Sequence, residues 1–123
     1  MESQEFVKQL IEVQELMKEE RYAEALVLLS KLKEIEKKGE FDYNLTHKLF
    51  QLDSNCRSLF NQDKILKQIQ NFSQNQNSIS FQELKESLKT ELNLDVGILR
   101  REVELLILRG LLKSKIEGNE LKF

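Results

Sequence analysis

The stretch ISFQELKESLKTELNLDVGILRREVELLILRGLLKSKIEGNELKF, residues 79–123, contains the strongest local signals of fold in the chain. Ser80 followed by Glu83 is a capping box, which predicts that a helix opens at "FQELKESL". Asp95 is a suitable N-cap for a second helix, and Gly110 is a suitable end for it. Apolar and polar residues then alternate on both sides of "EGN", which is typical of a β-hairpin. The stretch therefore predicts a short strand, two helices and a hairpin, in that order.

Upstream of this stretch, apolar residues fall at helical spacing in three successive segments. The three stripes are Phe6, Leu10, Val13 and Met17; Tyr22, Ala25, Leu29 and Leu32; and Leu45, Leu49, Leu52, Cys56 and Leu59. The short link "EER" predicts that the first two helices form an antiparallel hairpin. The third helix is expected over about residues 43–60, and a separate helical segment, "QDKILKQIQNF", precedes the polar run "SQNQNS".

These patterns predict a mainly α fold with a small β-hairpin. We expect a helical bundle over residues 1–72, a polar connector over 73–78 and a winged helix over 79–123, because a strand, two helices and a hairpin are the elements of that fold. The Asn/Gln cluster in the connector is typical of a solvated link between packed segments.

Composition limits the classes of function. The 123 residues are 40% hydrophobic and 33% charged, with a formal net charge of -2, so no global positive field attracts nucleic acid or anionic lipid. The single cysteine, Cys56, excludes an intrachain disulfide and favours a reducing compartment. No segment approaches the length of about 18 apolar residues that a membrane span needs. We therefore expect an intracellular protein, nuclear or cytoplasmic, without a membrane partner.

No arrangement typical of catalysis is visible. His47 and Cys56 are the sole residues of their types, and they project about 180° apart on one predicted helix, too far to share a site. We expect His47 at the surface and Cys56 in the core. The four glycines are too dispersed for a phosphate-binding loop. The sequence thus predicts no catalytic residue, no metal site, no cofactor and no small-molecule substrate.

Residues 79–123 resemble the winged helix of PCI domains through "ISFQEL", "VELLILRGLLKSKI" and the closing hairpin. Such domains occur in subunits of the proteasome lid, the signalosome and a translation initiation factor. The stretch is also similar to the winged helix that ends cullins, through two basic residues before "VELLI" and "RGLL". Upstream, "YAEALVLLSKL" resembles a tetratricopeptide-type helix, and "ALVLLSKLKEI" is similar to the helical bundle of certain transcription elongation factors. The resemblances imply a fold rather than one function.

One hypothesis for the winged helix is contact with nucleic acid. Its second helix would enter the major groove while the hairpin touches phosphates. The candidate contacts are Arg100, Arg101, Arg109, Lys113, Lys115 and Lys122. Against this, Glu102 and Glu104 lie beside the arginines and reduce the local positive field, and Arg100 can pair with Glu104 along the helix.

The leading hypothesis is a non-catalytic adaptor subunit of a larger complex that binds partner proteins through the helical half and the winged helix. Leu105 to Leu108 are four consecutive apolar residues on one helix, so they cannot all face one small core. We expect Leu106 in the core, and we name Leu105, Leu108 and Phe123 as the candidate partner surface. Phe123 is expected either to pin the hairpin to the core or to insert into a partner.

Overall fold

The computed structural model describes residues 1–123 and is mainly helical with a small three-stranded antiparallel sheet, which confirms the predicted fold class. The chain forms two compact units, Met1–Phe60 and Asn61–Phe123, called here the first and second units. No helix combines the length and the apolar character that crossing a membrane requires. The elements are α1 (Ser3–Lys18), α2 (Tyr22–Lys38), α3 (Tyr43–Ser73), β1 (Ser78–Ser80), α4 (Phe81–Leu88), α5 (Val96–Leu108), β2 (Lys115–Glu117) and β3 (Glu120–Lys122).

Helix α3 corrects the expectation of two separate helices on either side of residue 60. It runs without interruption for 31 residues and contributes to both units, whose boundary falls between Phe60 and Asn61. The stretch "FNQDK" contains neither glycine nor proline, so nothing in it ends the helix. The polar run follows as a turn between α3 and β1, where the backbone N–H groups of Asn75 and Gln76 donate to the carbonyl of Phe72.

The core of the first unit consists of the stripes that the helical spacing predicts. α1, α2 and the first part of α3 each contribute three buried residues: Phe6, Leu10 and Val13; Ala25, Leu29 and Leu32; and Leu49, Leu52 and Cys56. The ring of Phe41, in the loop before α3, stacks on Phe6 with 4.4 Å between the ring centroids. Burying each large side chain stabilises this unit by about 1.5–3 kcal/mol before the entropy cost of ordering.

Two helix ends in the chain use the same backbone device. At the end of α1 the Arg21 N–H donates to the Leu16 carbonyl, and Glu20, with φ of 60°, occupies the left-handed position. At the end of α5 the Leu111 N–H donates to the Leu106 carbonyl, and Gly110 occupies the equivalent position with φ of 75°. Both are Schellman caps, in which glycine adopts the left-handed conformation at lower cost than glutamate.

The second unit begins its helices with the predicted caps. The Ser80 hydroxyl accepts from the Glu83 N–H at 3.1 Å, and the Asp95 carboxylate accepts from the Ile98 N–H at 2.8 Å. The core residues of this unit are Ile65, Ile69, Ile79, Phe81, Leu84, Leu88, Leu92, Leu99, Val103, Leu106 and Leu121. Leu106 is 1% exposed, which confirms its predicted place in the core.

The sheet has the order β1-β3-β2, with β3 at its centre. Ile79 pairs with Leu121, and Leu121 also pairs with Ile116 on the other side. The tight turn between β2 and β3 contains Gly118 with φ of 60°, a conformation that glycine adopts without strain. Because β2 has a neighbour on one side only, its outer side is a free sheet edge.

Candidate protein-interaction surface

The four consecutive apolar residues of α5 have different degrees of burial. Leu106 faces the core, Leu105 and Ile107 are half-buried, and Leu108 is 82% exposed. Leu111, just after the helix, is 49% exposed. Two exposed leucines therefore lie three residues apart at the C-terminal end of α5. Of the predicted partner surface, Leu108 is open and Leu105 is partly covered.

A groove of about 590 Å³ lies between α5 and β2. We call it the α5–β2 groove. Its apolar lining is Ile107, Leu108 and Ile116, and its charged rim is Glu104, Lys115 and Glu117. An apolar floor with a charged rim is the usual composition of a site for a protein segment. The groove runs along the free edge of β2, so unpaired backbone groups lie beside its apolar lining.

The backbone hydrogen bonds of β3 show which groups of β2 are free. The Phe81 N–H donates to the Asn119 carbonyl and the Phe123 N–H donates to the Asn77 carbonyl, each at 3.0 Å. Positions 119, 121 and 123 therefore bond toward β1, and positions 120 and 122 bond toward β2. Their partners in β2 are Glu117 and Lys115. The N–H and C=O of Ile116 consequently point away from the sheet.

Arg100, one of the candidate nucleic-acid contacts, is partly exposed and also forms contacts within the second unit. Its Nη1 donates to the carbonyl of Gly118 at 2.8 Å, and its guanidinium lies 5.5 Å from the ring centre of Phe81. Its Nε also lies 3.4 Å from the Glu104 carboxylate, which is the pair expected from their spacing. Arg100 therefore connects α5 to the hairpin turn, and its guanidinium is already engaged within the second unit.

Arg109 is exposed, and it likewise bonds to a side chain of the second unit. Its Nη1 donates to Oε1 of Gln62, whose Nε2 donates to the Glu102 carboxylate at 3.2 Å. Glu102 is 3% exposed, so its carboxylate lies in the interior of the second unit. The helical spacing indicates this burial, because Glu102 lies three residues after Leu99 and four before Leu106, both of which are buried. Gln62 was not identified from the sequence.

The remaining candidate basic residues differ in their surroundings. Lys122 is half-buried and lies 3.1 Å from the Glu120 carboxylate. Arg101, Lys113 and Lys115 are exposed, and none of them forms an ion pair within the chain. The structure thus leaves three of the six predicted cations free for another molecule.

Phe123 is half-buried at the end of the chain. Its backbone bond to Asn77 extends the pairing of β3 with β1 by one residue. Phe123 is not among the residues that line the α5–β2 groove.

The two residues weighed for catalysis have the predicted locations. His47 is exposed and stacks on Tyr43 with 6.0 Å between ring centroids. Cys56 is fully buried, and its Sγ donates to the carbonyl of Tyr22 at 3.7 Å. Burial, reinforced by the negative charge of Asp53, raises the pKa of the Cys56 thiol to about 11. The thiol is therefore protonated and unreactive at neutral pH.

Comparisons of this chain with family models, with curated proteins and with solved structures found no match.

Proposed function

We propose that the chain is a non-catalytic adaptor subunit of a larger intracellular complex, and that its second unit is a winged helix which binds protein through the α5–β2 groove. The observation that carries the proposal is Leu108, 82% exposed beside the apolar lining of that groove. Burying one leucine side chain in a partner contributes about 1.5–3 kcal/mol, and it also removes an exposed apolar patch. The resemblance of residues 79–123 to PCI and cullin winged helices supports the same proposal.

The free edge of β2 adds a second means of recognition. An extended segment of a partner can add to a sheet edge through main-chain hydrogen bonds while its side chains enter an adjacent apolar groove. Ile116 supplies both elements here, because its backbone groups are unpaired and its side chain lines the groove. Two of the arginines that suggested a recognition helix, Arg100 and Arg109, donate instead to Gly118 and Gln62.

Photocrosslinking at single positions tests the proposal. The photoreactive residue p-benzoylphenylalanine replaces Leu108 in one variant and Ile98 in the other. Ile98 is a matched control, because it is 44% exposed on the same helix but does not line the groove. We expect a light-dependent protein adduct at position 108 that survives nuclease treatment, and none at position 98. The absence of an adduct at 108 in the source cells would contradict the proposal.

The alternative function is accessory contact with DNA by the winged helix. It is favoured by Arg101 and Lys113, which are exposed and have no acidic partner within the chain. If each neutralises one phosphate, replacing either with Glu reduces the slope of log affinity against log salt by about 1. A fluorescence-anisotropy titration with a labelled duplex at several salt concentrations measures this slope. Binding that is unchanged in Arg101→Glu and Lys113→Glu contradicts this alternative.

A further inference from the structure

We propose that the occupant of the β2 edge is a second copy of this chain, joined through an antiparallel β2–β2 pair with a twofold axis at Ile116. This inference rests on the proposed function, since it names the partner of the same groove. The sheet of each copy would continue into the other in the order β1-β3-β2-β2-β3-β1. A two-fold interface must be self-complementary, and β2 meets that condition in backbone, apolar contact and charge.

The backbone condition is met because alternate residues of β2 bond to β3 and the residue between them does not. The N–H and C=O of Ile116 both point to the free edge, because Lys115 and Glu117 bond to β3. When two antiparallel strands pair with Ile116 opposite Ile116, the Ile116 N–H of each copy donates a hydrogen bond to the Ile116 carbonyl of the other. Their side chains then lie next to each other on the sheet face that lines the groove, close to Ile107 and Leu108.

The charge condition follows from the register. In an antiparallel pair centred on Ile116, Lys115 of one copy lies directly opposite Glu117 of the other, and this happens twice. Neither side chain has an ion pair within the chain, and both are exposed. The strand "KIE" is therefore its own antiparallel complement.

The hairpin itself does not satisfy these charges. Within it Lys115 lies opposite Lys122, and Glu117 lies opposite Glu120, so both charged residues of β2 face a like charge. Like charges directly across a strand pair are unfavourable. A neighbouring β2 from a second copy places an opposite charge on the other side of Lys115 and of Glu117. The arrangement favours the second copy over a strand with a different charge order.

Charge exchange in β2 gives a test that depends on this register. The variants Lys115→Glu and Glu117→Lys each create two like-charge pairs across the twofold axis, so each should dimerise at least tenfold more weakly than the wild type. Neither variant should unfold, because each one replaces a like-charge pair of the hairpin with an opposite pair. An equimolar mixture of the two restores every cross-strand pair, and so does the double exchange in one chain.

Sedimentation velocity over a micromolar to millimolar concentration series measures the result. We expect a species of about 29 kDa, twice the 14.5 kDa of the chain, for the wild type, for the mixture and for the double exchange. A monomeric wild type over the whole series overturns the inference, as does equal dimerisation of the two single variants and the wild type. The crosslink at position 108 separates the two proposals: an adduct with a different protein overturns the second copy but supports the groove as a protein-binding site.

Discussion

Replacing Leu106 with Ala should destabilise the second unit strongly, whereas the same change at Leu108 should not. The two leucines lie two residues apart on α5 and are 1% and 82% exposed. Removing three buried side-chain carbons at Leu106 forfeits about 2.4 kcal/mol of transfer free energy, at about 0.8 kcal/mol each. The cavity that remains raises the expected loss to about 2.7–5 kcal/mol. Leu108→Ala should change the free energy of unfolding by less than about 0.5 kcal/mol.

The assay must report on the second unit alone. Both tyrosines, Tyr22 and Tyr43, lie in the first unit and the chain has no tryptophan, so intrinsic fluorescence follows the first unit. Hydrogen exchange of the most protected α5 amides follows the unfolding of the second unit. The loss expected for Leu106→Ala corresponds to exchange that is roughly 100- to 5,000-fold faster.

A unit of this length has a total stability of only about 3–9 kcal/mol, so Leu106→Ala can leave it mostly unfolded. Leu106→Met is the milder companion, because it conserves volume and should cost less than about 1.5 kcal/mol. The exchange rate of the protected α5 amides should therefore increase in the order Leu108→Ala, Leu106→Met, Leu106→Ala. Equal exchange rates in Leu106→Ala and Leu108→Ala would refute the assignment of the buried face of α5.

Three further predictions concern the cap, the thiol and the hairpin anchor. Glu20→Gly should stabilise the first unit by roughly 0.5–1 kcal/mol, as measured by urea denaturation. Gly110→Ala should destabilise the second unit by about 1 kcal/mol, as measured by hydrogen exchange. If both changes stabilised or both destabilised, the cap assignment would be contradicted. The pKa of Cys56 is raised to about 11, so its contribution to stability is complete below pH 9.0 and lost as pH rises toward 11. Relative to Cys56→Ala, the urea midpoint of the wild type should fall over that range, and parallel curves would contradict the burial of a neutral thiol. Arg100→Ala should lower the stability of the second unit by about 1 kcal/mol, because Arg100 is partly exposed. Hydrogen exchange of the hairpin amides should then be about fivefold faster. Arg101→Ala should leave that exchange rate unchanged.

Local patterns predicted the parts of the fold whose causes are local. Helical spacing identified the core positions Phe6 and Leu29, because a stripe at that period must face a packing partner. Ser80 and Asp95 marked helix starts, since their side chains bond to a backbone N–H only three residues away. The continuity of α3 was missed because the polar residues after Phe60 look like a link, although the helix needs only that nothing breaks it.

The candidate site was harder to predict, because its properties depend on contacts between distant residues. Arg100 reaches Gly118 across 18 positions, and Arg109 reaches Gln62 across 47, so neither contact has a signature in local spacing. The groove likewise exists only once the hairpin folds beside α5. Leu108 did give a local signal, as one of four apolar neighbours that no single core can bury.

The charges of α5 have a different meaning once these contacts are known. Three arginines on or just after α5 look suited to phosphate, but Arg100 and Arg109 form hydrogen bonds within the second unit and Glu102 is buried. A guanidinium that already donates to a protein carbonyl or amide has fewer of its five N–H donors left for a phosphate, which lowers the gain in affinity. The apolar lining at Leu108 needs no such donor, because its burial only removes water-exposed surface. Comparing these two terms supports our proposal of a protein partner at the α5–β2 groove over nucleic acid at Arg100, Arg101 and Arg109.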